Sequence, residues 1–261
     1  PVAPAFPPDV PLDPKRLASI DGFLARSTAP QAYTGAVALI AHDGQVVYER
    51  ARGYRDLARK QPIRMDAIFR IYSMTKPVTT VAVLMLMEEG RLGLDDPVSR
   101  YLPEFAAMRR FTGGTADAPR LAQADRPITL RHLLTHTAGF ATGGEGIEQP
   151  ARLLERAALQ DSSSLEEYAR RLARVPLADE PGTRFRYDGV NTEVLARVVE
   201  VVGGERFSDF LQRRIFAPLD MRDTGFSVPA SQRQRIVDLT RRDAQGRLSL
   251  ADTRGAITPG Q

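Results

Sequence analysis

The chain contains no cysteine, so disulfides and thiolate metal sites are excluded, and the redox state of its compartment leaves no mark on it. It has no tryptophan, and among its 36 basic residues only Lys15, Lys60 and Lys76 are lysines; all the others are arginine. Long apolar runs are missing as well. The longest, Val81 to Met87, is far short of the roughly 20 residues that span a bilayer, so no membrane span is expected. Nor is charge of one sign concentrated. The net charge of +4 comes from arginines scattered among acidic residues, and runs such as Arg50-Ala51-Arg52 and Arg109-Arg110 are short and lack interleaved aromatics. Nucleic acid is therefore not an expected partner. The stretch Pro1 to Pro14 holds six prolines and has neither a basic nor an apolar region of the signal-peptide kind. It reads as an extended lead-in, compatible with either a bacterial cytoplasmic or a periplasmic home.

With 261 residues, 43% of them hydrophobic, the chain can bury a core. A short amphipathic helix is predicted from Pro14 to Ser27. Gly35 to Ala41 and Gln45 to Arg52 are strand-like and flank the tight-turn signal Asp43-Gly44. Ile68 to Tyr72 reads as extended and runs into Ser73. From Ser73, a suitable N-cap, the pattern is helical, and Val78 to Met87 is apolar all round, as in a helix buried on every side, ending at Gly90. Phe111 to Ala124 and Gly139 to Gly146 read as loops. Short helices are expected at Thr129 to Thr135, Leu153 to Leu159 and Leu165 to Arg174. A longer one runs from Val190 to the Gly203-Gly204 stop. The predicted organisation has three parts: residues 1–72 (helix and hairpin), 73–228 (mostly helical) and 229–261 (weakly patterned, a return toward the first part).

Ser73-Met74-Thr75-Lys76 carries the chemistry. Three residues apart on a helix, Ser73 and Lys76 share a face. A chain so biased towards arginine keeps a lysine here, and only a lysine can give up its proton to serve as a base. A helix start also offers backbone N–H groups to negative charge. Acyl transfer by serine needs such a base, a relay to the leaving group and donors for the oxyanion.

Arg70-Ile71-Tyr72-Ser73-Met74-Thr75-Lys76-Pro77 resembles the nucleophile motif of serine hydrolases of the class C β-lactamase superfamily, and especially the family VIII carboxylesterases. Gly53 to Asp56, Leu94 to Pro103, Ile128 to Gly139 and Pro218 to Phe226 resemble further family blocks in the same order, so the likeness covers about residues 15–228. It implies an α/β (α+β) fold of the β-lactamase/transpeptidase type: an antiparallel sheet with flanking helices plus a helical domain. It also implies an acyl-enzyme on Ser73, a small ester or β-lactam-like substrate, and no cofactor. Phe185-Arg186-Tyr187-Asp188-Gly189 matches the family's Tyr-Xaa-Asn element and carries Tyr187 over as proton shuttle. Its third position is Gly189 where β-lactamases of this class have asparagine; Asn191 is expected to point along the next helix and not to replace it. That departure favours an esterase. By the same resemblance Tyr72, Gly189 and Phe140 are substrate-binding candidates.

The family's third element, a Lys/His/Trp-Xaa-Gly strand beside the nucleophile, is not found: no lysine follows Lys76, and His42-Asp43-Gly44 precedes the nucleophile and reads as a turn. The resemblance therefore implies that C-terminal strands come from a further segment or a second polypeptide, since a lone hairpin could not cover a helix buried on all sides. The alternatives are a β-lactamase or D-Ala-D-Ala peptidase, a transacylase, and, from another class, a catalytically incomplete fragment or binding module. His132 and His136, four apart, have zinc-ligand spacing, but the intervening Leu133 and Leu134 leave no zincin glutamate, and both are expected to be structural. Gly143-Gly144-Glu145-Gly146 lacks the lysine and preceding strand of a phosphate cradle and is expected at the pocket rim.

Overall fold

The computed structural model describes residues 13–30, 32–142 and 146–251. In chain order these form α1 (Pro14–Ser27), β1 (Gly35–His42), β2 (Gln45–Gly53), α2 (Thr75–Glu88), β3 (Arg109–Gly114), β4 (Pro119–Gln123), α3 (Leu130–Leu134), α4 (Glu148–Arg156), α5 (Leu165–Leu172), α6 (Val190–Gly203), α7 (Phe207–Leu211), β5 (Thr240–Arg242) and β6 (Leu248–Leu250). The strands pair as three antiparallel two-stranded sheets, β1-β2, β3-β4 and β5-β6. Residues 13–70 with 227–251 make one compact unit and Ile71–Phe226 another.

In the first unit, Asp13 caps α1 by accepting from Lys15 N, and Pro14 occupies the first turn, where its missing N–H costs nothing. The β1-β2 hairpin turns at Asp43 (φ 50°) and Gly44 (φ 74°), the left-handed pair that a two-residue turn requires. Tyr48 of β2 donates its hydroxyl to Asp21 of α1 at 2.9 Å. The returning segment is tied in by a parallel bridge between Ile68 and Ile236 and by Leu57 N donating to Asp238 at 2.8 Å. A cleft of about 560 Å³ in this unit, lined among others by Thr28, Arg52 and Tyr54, contains none of the candidate site residues.

The second unit is built on one core in which Ala82, Val83 and Leu86 of α2 and Val194, Leu195, Val198 and Val199 of α6 are buried with Leu133, Phe140, Leu172 and Phe210. Helix α2 is not buried on every side. Its buried residues are Thr79, Ala82, Val83 and Leu86, while Val81 and Leu84 are exposed. An all-apolar sequence reports what each face would tolerate, not what stands opposite it. Phe111 to Ala124, expected as a loop, is the β3-β4 hairpin, with an irregularity between Phe111 and Gly113 that hid its period. Phe111 N also donates to Leu177 O at 2.8 Å, a partner remote in sequence.

Helix ends follow local chemistry. Thr129 caps α3 in a reciprocal box with His132, and Gly204, at φ 76°, closes α6 with its N–H on Glu200 O. At α5, Ser164 accepts from Glu167 N, and the Glu167 carboxylate accepts from Ser163 N at 2.8 Å and Ser163 Oγ at 2.7 Å. Those Ser163 bonds, with Arg171, hold the Glu167 carboxyl down to about 2. A depressed folded-state value stabilises the fold above the ordinary glutamate range, and that contribution is lost as pH falls through about 2. Glu167→Gln is accordingly expected to melt below wild type at pH 7, with the two converging as pH is lowered from about 4.5 towards 2, as followed by circular dichroism.

Candidate active site

The chain turns sharply just before Ser73. Tyr72 has φ 42°, a left-handed conformation that an aromatic residue adopts only under strain, and Tyr72–Met74 form a single 3-10 turn leading into α2. Ser73 is not the helix cap expected from the sequence. Met74 holds that position, with φ −68° and ψ −10° and no side-chain capping bond, because the chain is already helical there and a capping serine needs an extended backbone. The Ser73 hydroxyl is thus left for another partner.

That partner is Lys76, whose Nζ donates to Ser73 Oγ at 3.2 Å. Tyr187, three residues ahead of α6, comes up to the same pair: Lys76 Nζ lies 4.8 Å from the centroid of its ring, and its hydroxyl is within the influence of the Ser73 and Lys76 side chains. The influence of the Ser73 side chain, then that of Lys76, holds the Tyr187 phenol below the usual tyrosine range. Ser73 and Tyr187 are exposed and Lys76 is half-buried, so the three meet at the surface of the helical unit. The Ser73 hydroxyl, the Lys76 amine and the Tyr187 phenol stand together there, a set of groups through which a proton could pass to and from Ser73 Oγ.

The remaining candidates are placed unequally. Tyr72 adjoins Ser73 and is 58% exposed. Gly189 is exposed at the start of α6, and a side chain built there meets nothing within 4 Å. Phe140 is the correction: it is 2% exposed and belongs to the core, so its side chain is a packing element and not a surface for substrate. Of the supposed rim, Gly143, Gly144 and Glu145 lie outside the described residues. The two histidines have separate tasks. His132 Nδ1 accepts from Thr129 N at 3.2 Å within α3, whereas His136 lies beyond that helix at φ 55°. Among the described residues no cluster of three or more histidines and carboxylates is placed to hold a metal ion.

A polar group against Tyr187 was not foreseen from the sequence. The His136 ring stands 4.8 Å from the Tyr187 ring and 6.0 Å from that of Phe185. Asp188, buried, accepts from Thr142 Oγ1 at 2.7 Å, Asn191 N at 3.0 Å and Asn191 Nδ2 at 2.9 Å. Asn191 is 1% exposed, and its Nδ2 also reaches His136 Nδ1 at 3.2 Å. Burial pushes the Asp188 carboxyl up and the His136 imidazole down. The one local signal was the Asp188-to-Asn191 spacing, which suits an aspartate accepting from the first turn of a helix. His136 is 52 residues from Asp188 and gave none.

The Beta-lactamase family matches residues 20–258. The chain belongs to that family. It is 36% identical to Esterase EstB of Burkholderia gladioli over 222 residues, 82% of this chain and 53% of that protein. This β-lactamase-family chain therefore spans about half the length of the curated relatives it matches. Its fold is that of the β-lactamases and penicillin-binding proteins. It superposes on EstCE1, a hydrolase with promiscuous acyltransferase activity, with a TM-score of 0.74 at 33% identity, covering 91% of this chain and 60% of the other. The octameric penicillin-binding protein homologue from Pyrococcus abyssi gives 0.70 at 26% identity, covering 93% and 52%.

The strain at Tyr72 yields a test. Tyr72→Gly is expected to leave thermal stability level or higher, whereas Tyr72→Val, branched at Cβ and less tolerant still of positive φ, is expected to lower it in denaturant melts.

Proposed function

We propose that this chain carries the acylation centre of a serine carboxylesterase. The observation that carries the reading is the Lys76 Nζ–Ser73 Oγ hydrogen bond of 3.2 Å, with the Tyr187 ring centroid 4.8 Å from the same Nζ. Ser73 Oγ attacks the ester carbonyl carbon, and its proton passes into the Lys76–Tyr187 pair. Collapse of the tetrahedral intermediate breaks the bond to the alkoxide, which takes the proton from the Tyr187 oxygen. Water, activated at the same oxygen, then hydrolyses the acyl-enzyme. The Ser73 backbone N–H, at the first turn where helical partners are absent, is one oxyanion donor. The second is assigned to a Lys/His/Trp-Xaa-Gly element from the part of the relatives' length that this chain does not span, whether on the same polypeptide or a second one. Tyr72 walls the acyl side.

Ester rather than β-lactam hydrolysis is favoured by Gly189, which presents no amide beside Lys76 and Tyr187. Acyl transfer to an alcohol is the second reading, supported by the acyltransferase activity named for EstCE1. There an alcohol replaces water in the last step and no other residue changes role.

With the complementing C-terminal segment supplied, intact-mass detection of a fluorophosphonate adduct that disappears in Ser73→Ala tests the nucleophile; labelling elsewhere, or none, would defeat the reading. On a short-chain p-nitrophenyl ester Ser73→Ala is expected to abolish turnover. Lys76→Arg and Tyr187→Phe should each lower kcat by about 10²–10⁴-fold, the usual worth of a positioned acid–base group. An arginine at 76 cannot yield a proton, so wild-type turnover from it would remove Lys76 from the proton path. The ester should also be cleaved faster than a chromogenic cephalosporin. Gly189→Asn, which has open space, should shift that ratio towards the cephalosporin by about two- to tenfold, the range of one net hydrogen bond.

A further inference from the structure

The polar group beside Tyr187 has a fixed hydrogen-bond direction. Asp188 Oδ1 accepts the Asn191 backbone N–H, which can only donate, and the same oxygen receives Asn191 Nδ2. The Asn191 amide is thereby oriented with nitrogen towards Asp188, and its Oδ1 is left buried without a partner. Turning the amide over would set its oxygen against an accepting one. In the observed orientation Nδ2 also faces His136 Nδ1 at 3.2 Å, and Asp188 N donates to the same nitrogen at 3.4 Å. Two donors converge on one ring nitrogen, so Nδ1 must carry the lone pair and the proton must reside on Nε2. The backbone reinforces the arrangement: Arg186 N donates to His136 O at 2.8 Å, holding the residue before Tyr187 against the residue whose ring faces it.

We infer that His136, held as its Nε2–H tautomer by Asp188 and Asn191, is a positioning residue that sets the Tyr187 ring against Ser73 and Lys76. Tyr187 is 54% exposed and lies on a segment without regular secondary structure, so neither core packing nor a ladder fixes its ring. The imidazole face at 4.8 Å, tilted by 42°, supplies that support. The inference rests on the proposed role of Tyr187 in proton transfer, but the tautomer stands apart from it. The charged and titratable groups around His136 are Asp188, Lys76 and Tyr187. Burial, aided by Lys76 and opposed by Asp188, keeps the imidazole below its ordinary 6.5. A proton added to Nδ1 at acid pH would meet the two donors head-on and release the ring, so the support persists as pH falls through 6.5 and is withdrawn only at more acid pH.

Two measurements test this on the whole chain. In protein labelled at histidine, ¹⁵N NMR should show His136 with Nδ1 unprotonated and the proton on Nε2 at pH 8, its signal identified by its loss in His136→Asn. A proton on Nδ1 overturns the proposal, whatever the variant does. In protein labelled at tyrosine Cζ, Tyr187 should titrate below 10.0 in wild type. In His136→Asn, chosen because asparagine tolerates the positive φ, it should move up towards 10.0. That variant should also lose about tenfold to a hundredfold in kcat, with KM changed by less than about twofold. A folded variant with an unmoved Tyr187 titration overturns the positioning role even if activity falls. A wild-type Tyr187 that titrates as a free phenol overturns the alignment that His136 is said to maintain, while fluorophosphonate labelling of Ser73 still judges the nucleophile separately.

Discussion

Helices α2 and α6 pack against each other through the buried residues Ala82, Val83, Leu86, Val194, Leu195 and Val198, and the chemistry of the helical unit hangs from the N-terminal ends of both. Ser73 and Lys76 stand at the start of one; Tyr187 and Asp188 stand just ahead of the other. Because burial stabilises by roughly 25 cal/mol per Å² and tolerates little shift in a close-packed interior, a contact made for hydrophobic reasons sets the distance between polar groups at its edge. A void in this seam would therefore be felt at the site as well as in stability. The two helix starts also bring partial positive charge to the place where an alkoxide, an oxyanion and a phenolate would form.

The site is thin-walled. Ser73 and Tyr187 are exposed, and only the support behind them is buried: Asp188, Asn191 and the half-buried His136. Exposed polar groups are individually cheap to move, whereas buried ones that hydrogen-bond to one another are not. The structure places its precision in the second kind. Thr142 joins that buried group through Asp188, so the loop leaving the core at Phe140 is tied to the segment that carries Tyr187. Gly189 is exposed beside Tyr187, and the polar side chains near it, Asp188 and Asn191, are buried.

Strain and exposure concentrate near the nucleophile. Tyr72 adopts a left-handed conformation immediately before Ser73, and Ile71, Tyr72 and Met74 present exposed apolar surface around it. An exposed apolar face continues along α2 at Val81 and Leu84.

What the sequence determined was whatever depends on neighbours within a turn or so. Helix α1 begins and ends where its proline and serine suggested, the β1-β2 hairpin turns at Asp43-Gly44, and α6 closes at Gly204, because caps and tight turns are chosen by local hydrogen bonds and by φ. The three-residue spacing likewise brings Lys76 to Ser73, since it is one turn of chain. What only the tertiary structure decided involves partners far apart. These include the exposed face of α2, the burial of Phe140, the β3-β4 hairpin and the hydrogen bonds of His136 to residues 52 and 55 positions away. A single sequence carries no distance between such residues; that distance is set when the hydrophobic core closes.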